Sequence, residues 1–318
     1  MQPTIQEQII PTTPTRPQNR ANIKYSFSGH ETFPFRYTWL PKGIQHTLKY
    51  SNLFLRDDAL VILGVGKNMV SSIRYWCETL RLIDSPERGF FRVSELGGIL
   101  FGPNGFDPFL ENHGTLWLLH WLLVSRWEKA STWFLAFTRW NTLEFTSEQL
   151  QEWLWGLLKE SPATRATKST LKRDVDVFLR TYVPDEVSAT KPLEDTFDCP
   201  LVELGIIQDL GDKTYRFVRG HQPSLPDDIF LFALLEYWNS YPVTQNVLPF
   251  EQILHGWGSP GAAFKLTESG LVERLENLPS WSGLVYDDTA GMKSILRVGN
   301  IVTNPIDALN HYYGATTR

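Results

Sequence analysis

His30-Glu31, followed by Arg36, is the one compact acid–base cluster in the sequence. A histidine acts as a general base only when a partner sets its tautomer and a substrate proton lies within reach. No second essential pair stands beside it, and its neighbours Phe27, Phe33 and Phe35 point to packing. His113 and His120 are seven apart and could share a helix face, yet no third ligand is spaced to complete a metal site. Gly64-Val-Gly-Lys-Asn lacks the spacing of a phosphate-binding loop and follows a helical pattern rather than a strand. Gly256-Trp-Gly-Ser-Pro-Gly reads as a turn into a helix, with Ser259 as the cap and Pro260 at the first helical position. No nucleophile, base and oxyanion constellation emerges elsewhere. The expectation is therefore a protein with no catalytic residue to name, no metal and no cofactor, and with His30, Glu31 and Arg36 as its one candidate functional cluster.

The elements that carry these residues follow from composition and pattern. The chain has 318 residues, is 42% hydrophobic and holds 12 Trp and 19 Phe, enough for a large core. The densest apolar stretch, residues 116–124, contains His120 and is closed by Arg126, which makes it a buried helix rather than a membrane span. Only Cys77 and Cys199 are present, so no disulfide framework is available, and a reducing cytoplasm fits. Residues 1–22, with Pro3, Pro11, Pro14 and Pro17, read as a disordered leader.

Three stretches share a pattern of helices followed by a hairpin. In the first, over 23–112, a short helix at 59–63 meets the turn Gly64-Val-Gly and a longer helix over 67–83. Asp84-Ser-Pro stops that helix, and residues 89–93 form a short strand. The second, over 113–220, is rich in tryptophan; Thr146 and Gln149 offer a capping box, and residues 168–182 a further helix. Strand-like stretches at 201–207 and 215–218 follow it. The third, over 221–318, repeats the order with helices at 229–238, 250–254 and 262–278 and a hairpin near 284–298. The fold class is mainly α with some β: winged helix-turn-helix modules around a Trp-rich helical middle.

In such a module the second helix lies in the major groove and its outer face reads base edges. With Val70, Ile73, Cys77 and Leu80 as the core stripe, the line farthest from it runs through Asn68, Ser72, Tyr75 and Thr79. Lys67, Ser71, Arg74 and Arg81 flank it, and Arg88 and Arg92 sit on the hairpin. Asn can bond adenine twice, and Arg can bond guanine or phosphate. Lys168, Lys172, Arg173 and Arg180 lie in the densest basic run and could track phosphates. The net charge of −5 lies wholly in residues 221–318, where ten acidic residues face five basic ones. That third suits protein partners better than a polyanion.

Three segments carry a resemblance: residues 28–36 (Ser-Gly-His-Glu-Thr-Phe-Pro-Phe-Arg), 63–76 (Leu-Gly-Val-Gly-Lys-Asn-Met-Val-Ser-Ser-Ile-Arg-Tyr-Trp) and 259–268 (Ser-Pro-Gly-Ala-Ala-Phe-Lys-Leu-Thr-Glu). The sequence resembles, over about residues 25–300, a bacterial family known only as a domain of unknown function. Its members are often found beside genes for proteins resembling phosphoadenosine phosphosulfate reductases and other parts of DNA phosphorothioation and anti-phage systems. The resemblance implies a setting and no catalytic residue. The expected function is then a non-enzymatic, DNA-binding accessory or regulatory subunit of such a system. Its partners would be DNA, sulfur-modified or not, and defence proteins docked on the C-terminal third, with no membrane. Two alternatives stay open: a scaffold whose winged helices bind only proteins, and a nuclease or sulfur-transfer enzyme centred on His30 and Glu31.

Overall fold

The computed structural model of the chain describes residues 23–184, 199–241, 245–289, 291–298 and 303–316. The leader expected over 1–22 lies outside them. In the first unit, α1 (Trp39–Lys49), a 3-10 turn (Leu53–Leu55), α2 (Ala59–Leu63) and α3 (Lys67–Thr79) precede a hairpin of β1 (Ile83–Glu87) and β2 (Phe90–Val93). Gly64 ends α2 in the left-handed region, φ 65°, which a residue without Cβ enters freely, and so turns the chain into α3. The helix expected to reach residue 83 stops at Thr79, because Arg81 takes φ 57° and the backbone swings into β1. Asp84-Ser-Pro is therefore part of a strand, and the register shifts between Asp84 and Glu87, around Pro86. Helix α4 (Glu95–Phe101) closes the unit.

The middle unit runs α5 (His113–Val124), α6 (Ser131–Thr138), β3 (Glu144–Thr146), α7 (Ser147–Lys159), α8 (Lys168–Tyr182), a 3-10 turn (Pro200–Leu204), β4 (Ile207–Gly211) and β5 (Thr214–Phe217). Almost every side chain of α5 and all of α6 are buried, as expected of helices apolar all round. Thr146 and Gln149 form the reciprocal capping box at the start of α7. The strand expected over 201–207 is instead the 3-10 turn, and extension begins only at Ile207.

The last unit contains α9 (Asp227–Asn239), β6 (Val247–Pro249), α10 (Phe250–His255), α11 (Pro260–Ala263), α12 (Glu268–Glu276), β7 (Leu284–Thr289), β8 (Met292–Arg297) and α13 (Pro305–Thr316). The single helix expected over 262–278 is two, broken where Lys265 adopts φ 53°.

The middle and last units share one topology. Each has a leading helical part, a strand, two or three further helices and a hairpin, with the early strand bonded to the hairpin's second strand: β3-β5-β4 and β6-β8-β7. In the first unit, one backbone bond from Phe91 N–H to the Ser51 carbonyl (2.6 Å) stands at the place of that early strand. The molecule is thus mostly helical, with small antiparallel sheets.

Buried apolar side chains form one connected cluster from Ile23 to Tyr313. Polar ties cross it as well. Arg81 pairs with Glu236 at 2.7 Å, and Trp121 donates to the same carboxylate at 2.8 Å. Among the described residues no helix is long and apolar enough to cross a membrane.

Candidate functional site

Among the described residues, the segment Ser28–Thr32 holds the densest run of left-handed backbone. Ser28, Gly29, Glu31 and Thr32 all have positive φ, between 50° and 98°. Such conformations cost energy and persist only where surrounding contacts over-determine them. Here the contacts converge on His30 and Asp174. The His30 Nε2–H donates to Asp174 Oδ1 at 2.8 Å, while its Nδ1 accepts from the Thr32 N–H at 3.2 Å. Asp174 also accepts from the Ser28 N–H (2.6 Å) and from the Thr132 hydroxyl (2.6 Å). His30 and Asp174 are 2% and 1% exposed, so this is a buried, fully engaged pair. Arg180 closes the loop from outside by donating to the Thr32 carbonyl at 2.6 Å.

Two groups that are remote in sequence are therefore one structure: the 28–36 segment and helix α8. His30 pairs with Asp174 of that helix and not with Glu31, whose side chain is exposed. Arg36 lies over the Trp39 ring, 5.3 Å from its centre. Both imidazole nitrogens are bonded to protein groups in this structure, so His30 ties the 28–32 loop to α8.

Helix α3 corrects the expected reading face. Val70, Ile73, Cys77 and Leu80 are buried as the core stripe, but so are Ser72 and Thr79, both 0% exposed. The 27–33 segment packs over the side opposite the core. Ser72 Oγ donates to the His30 carbonyl (2.9 Å) and the Trp76 indole to the Phe33 carbonyl (3.0 Å). Tyr75 lies against Gly29, where a Cβ would come within 2.7 Å of its ring, and donates to the Lys129 carbonyl. Burial, and then the Asp174 charge, push its phenol far above the usual range. Arg81 is the interior partner of Glu236. Ser72, Tyr75 and Arg81 therefore hold the fold and offer nothing to a groove. Periodicity sees one buried face; a second one, polar and aromatic, looks like surface.

The remaining candidates on this unit are placed differently. Lys67 and Asn68 are exposed at the start of α3, Ser71 and Arg74 are half-buried, and Arg88 and Arg92 are exposed on the hairpin. Arg92 is 3.7 Å from Asp84.

Helix α8 leaves part of the basic run on its surface, with Arg180 half-buried. Leu171, Val175, Phe178 and Tyr182 are buried, while Lys172 and Arg173 are exposed. Lys168 is held at 2.6 Å from Glu152 and lies over the Trp155 ring. The signal that sequence reasoning missed is Asp174. It falls between Leu171 and Val175 on the core stripe, and a carboxylate at such a position needs buried partners.

His120, in turn, is no metal ligand. Its Nε2–H donates to the Ala263 carbonyl and its Nδ1 accepts from the Tyr182 hydroxyl, both at 2.9 Å. Burial lowers its pKa to about 4, so it is neutral. Among the described residues no three His, Cys, Asp or Glu gather where a metal could be held.

A family model described as a protein of unknown function, DUF4007, matches residues 27–313. The chain belongs to the DUF4007 family. It is similar to a crystal structure of magnesium ion-bound SspB, with a TM-score of 0.82 and 31% identity over 91% of this chain and 88% of that one. A second SspB crystal structure gives a TM-score of 0.81 and 30% identity, covering 92% and 90%. No curated protein matches. In this DUF4007 chain the 28–36 motif thus carries a buried anchor, His30, that fixes the basic helix α8 through Asp174.

Proposed function

We propose that this DUF4007 protein is a DNA-binding accessory or regulatory subunit of a DNA phosphorothioation-linked modification or restriction system. Its three helix-and-hairpin units act as winged-helix modules. The observation that carries the reading is helix α8. It occupies the second-helix position of its unit, shows Lys172 and Arg173 to solvent, and is locked in place by Asp174 and Arg180. A rigid cationic helix of this kind is suited to phosphate contact. The resemblance of the 28–36 and 63–76 segments supplies the sulfur-modified DNA setting. The similar SspB is described with a magnesium ion; magnesium keeps most of its waters and needs few protein ligands, so a like site here would be sparse.

The test is binding to labelled duplexes, with and without phosphorothioate, across a salt series. Affinity should fall steeply with salt, and Lys172→Glu with Arg173→Glu should flatten that slope. No binding at about 50 mM salt, where phosphate contacts are strong, overturns the reading.

One observation favours a second reading for the first unit alone. Leu55, Leu60, Val61 and Phe90 are exposed by 44–74% around α2 and the hairpin turn. Such a surface fits a protein partner better than DNA. Loss of co-purifying defence-system proteins on Val61→Glu, with DNA affinity intact, would assign that unit to scaffolding.

A further inference from the structure

The 259–268 motif has no part in the DNA reading, yet it builds the floor of a cleft. Between the end of α6, the residue Arg219 and the α10–α11 corner lies a cavity of about 410 Å³. Gly261 makes the corner possible, since a Cβ there would come within 2.6 Å of the Leu254 backbone. The left-handed turn at Lys265 then aims a lysine inward, leaving it 8% exposed. Arg139, Arg219 and His255 line the same cavity, and Asn141 and Trp140 form part of its wall. Among the described residues that line it there is no carboxylate.

Lys265 donates to the Phe137 carbonyl at 2.7 Å and reaches the Ala136 carbonyl at 3.5 Å, with the Phe217 ring 4.1 Å away. Carbonyl dipoles and a ring face partly solvate the ammonium, but they carry no net charge. Arg219 donates to the Leu266 carbonyl, again a neutral group. His255 lies in the field of Glu268, which is itself paired with Lys293, so it is the least available of the four. Lys265 alone of the four is buried, with Arg139 half-buried and Arg219 and His255 at the exposed rim; a buried amine facing further cations is costly, and a ligand of opposite sign would offset that cost.

We propose that this cleft binds a small dianionic phosphate ester, its phosphate held by Lys265 and Arg219 and its organic part against Trp140. A terminal phosphate reaches an amine that is 8% exposed more readily than a duplex phosphodiester, which is flanked on both sides by sugars. The site is separate from α8 and stands whether or not that helix binds DNA.

A proton should accompany the ligand. Burial first, and the Arg219 charge second, lower the Lys265 pKa to about 7. Arg139, Arg219 and His255 face it across the cleft, and His120 lies near enough to feel its charge. Above pH 7 the amine is mostly neutral, and an arriving dianion would favour its protonated form.

The experiment is calorimetric titration of the full chain near pH 8, in two buffers of different ionisation enthalpy. The probes are adenosine 5′-monophosphate, inorganic phosphate and sulfate, and sulfate does not itself titrate there. Saturable binding by about 1 mM is expected, the range of a few charge-assisted hydrogen bonds, with proton uptake that persists for sulfate. Lys265→Met should abolish the uptake, and either it or Arg219→Gln should weaken binding about 10-fold. Arg219 lies at the exposed rim, so its variant keeps the test open if Lys265→Met does not fold. No saturable binding by about 10 mM, or binding indifferent to both cleft variants, overturns the proposal. So does a short DNA duplex that displaces the probes and depends on the same two residues, since the cleft would then belong to the DNA surface.

Discussion

Helices α3 and α8 hold the same place in the same order of elements, yet they face the solvent differently. Helix α3 is covered on two sides: by the core, and by the 27–33 segment that bonds Ser72, Tyr75 and Trp76. Helix α8 packs against α6, α7 and the Pro200–Leu204 turn but leaves Lys172, Arg173 and Asp176 exposed, and the same segment only pins its inner edge through Asp174 and its end through Arg180. Helix α12, at the corresponding place in the acidic last unit, turns Arg274 inward to Asp227 and to the His221 and Gln222 carbonyls. A shared topology does not fix which copy meets a partner. What decides is which face is left uncovered and what charge it carries.

Four measurements can break or sharpen that contrast. The largest effect is expected at the pin itself. Asp174→Ala leaves His30, Thr132 and the Ser28 N–H without their common acceptor, and should cost roughly 3 kcal/mol or more in urea unfolding. If α8 is held by apolar packing alone, the loss will be well under about 1 kcal/mol, the scale of a surface change.

The second concerns the far end of α8, where the Tyr182 hydroxyl bonds His120. His120 is neutral when folded, its pKa about 4 against an ordinary 6.5. The unfolded chain therefore binds the extra proton between those values, and stability is full above pH 6.5 and lost as pH falls toward 4. The loss approaches about 3 kcal/mol from this group, taking 1.36 kcal/mol per pKa unit. His120→Phe should flatten the acid limb of a pH–stability curve; an unchanged limb would show that the ring is not what titrates.

Third, Lys172→Glu with Arg173→Glu should weaken duplex binding about 10- to 100-fold at low salt, whereas Arg74→Ala on α3 should cost less than about 3-fold. The reverse order would move the DNA surface to the first unit. The smallest effect is expected at Ser72→Ala, about 1 kcal/mol for one buried hydrogen bond to a carbonyl, with no change in DNA binding. A selective loss of DNA affinity there would return Ser72 to the reading face.

The helix spans at 59–63 and 168–182, the Thr146 capping box and the Ser259-Pro260 helix start were legible because each depends on neighbouring residues. The ends that were misread, at Arg81 and Lys265, are places where a residue other than glycine takes the left-handed region under tertiary constraint. Propensity gives no warning of that. The candidate site was half legible. Lys172 and Arg173 stand out as members of a basic run, but the union of His30 with Asp174 spans 144 residues and could be sensed only as an acid on an apolar stripe. Lys265 gave less signal still, since nothing local distinguishes a lysine that turns inward from one that does not.

The buried indoles give the molecule an optical readout of its own anchor. Six tryptophans are essentially inaccessible to water, and two of them, Trp76 and Trp133, have ring centres 6.3 and 5.8 Å from that of His30. Emission from the intact protein should be blue. If the 28–32 loop lifts from α8, water reaches that pair before it reaches Trp117, Trp121 or Trp238, and part of the spectrum should move to the red ahead of global unfolding. Seating and unseating of the loop, by a partner or by a variant, could then be followed in the native sequence without attaching a dye.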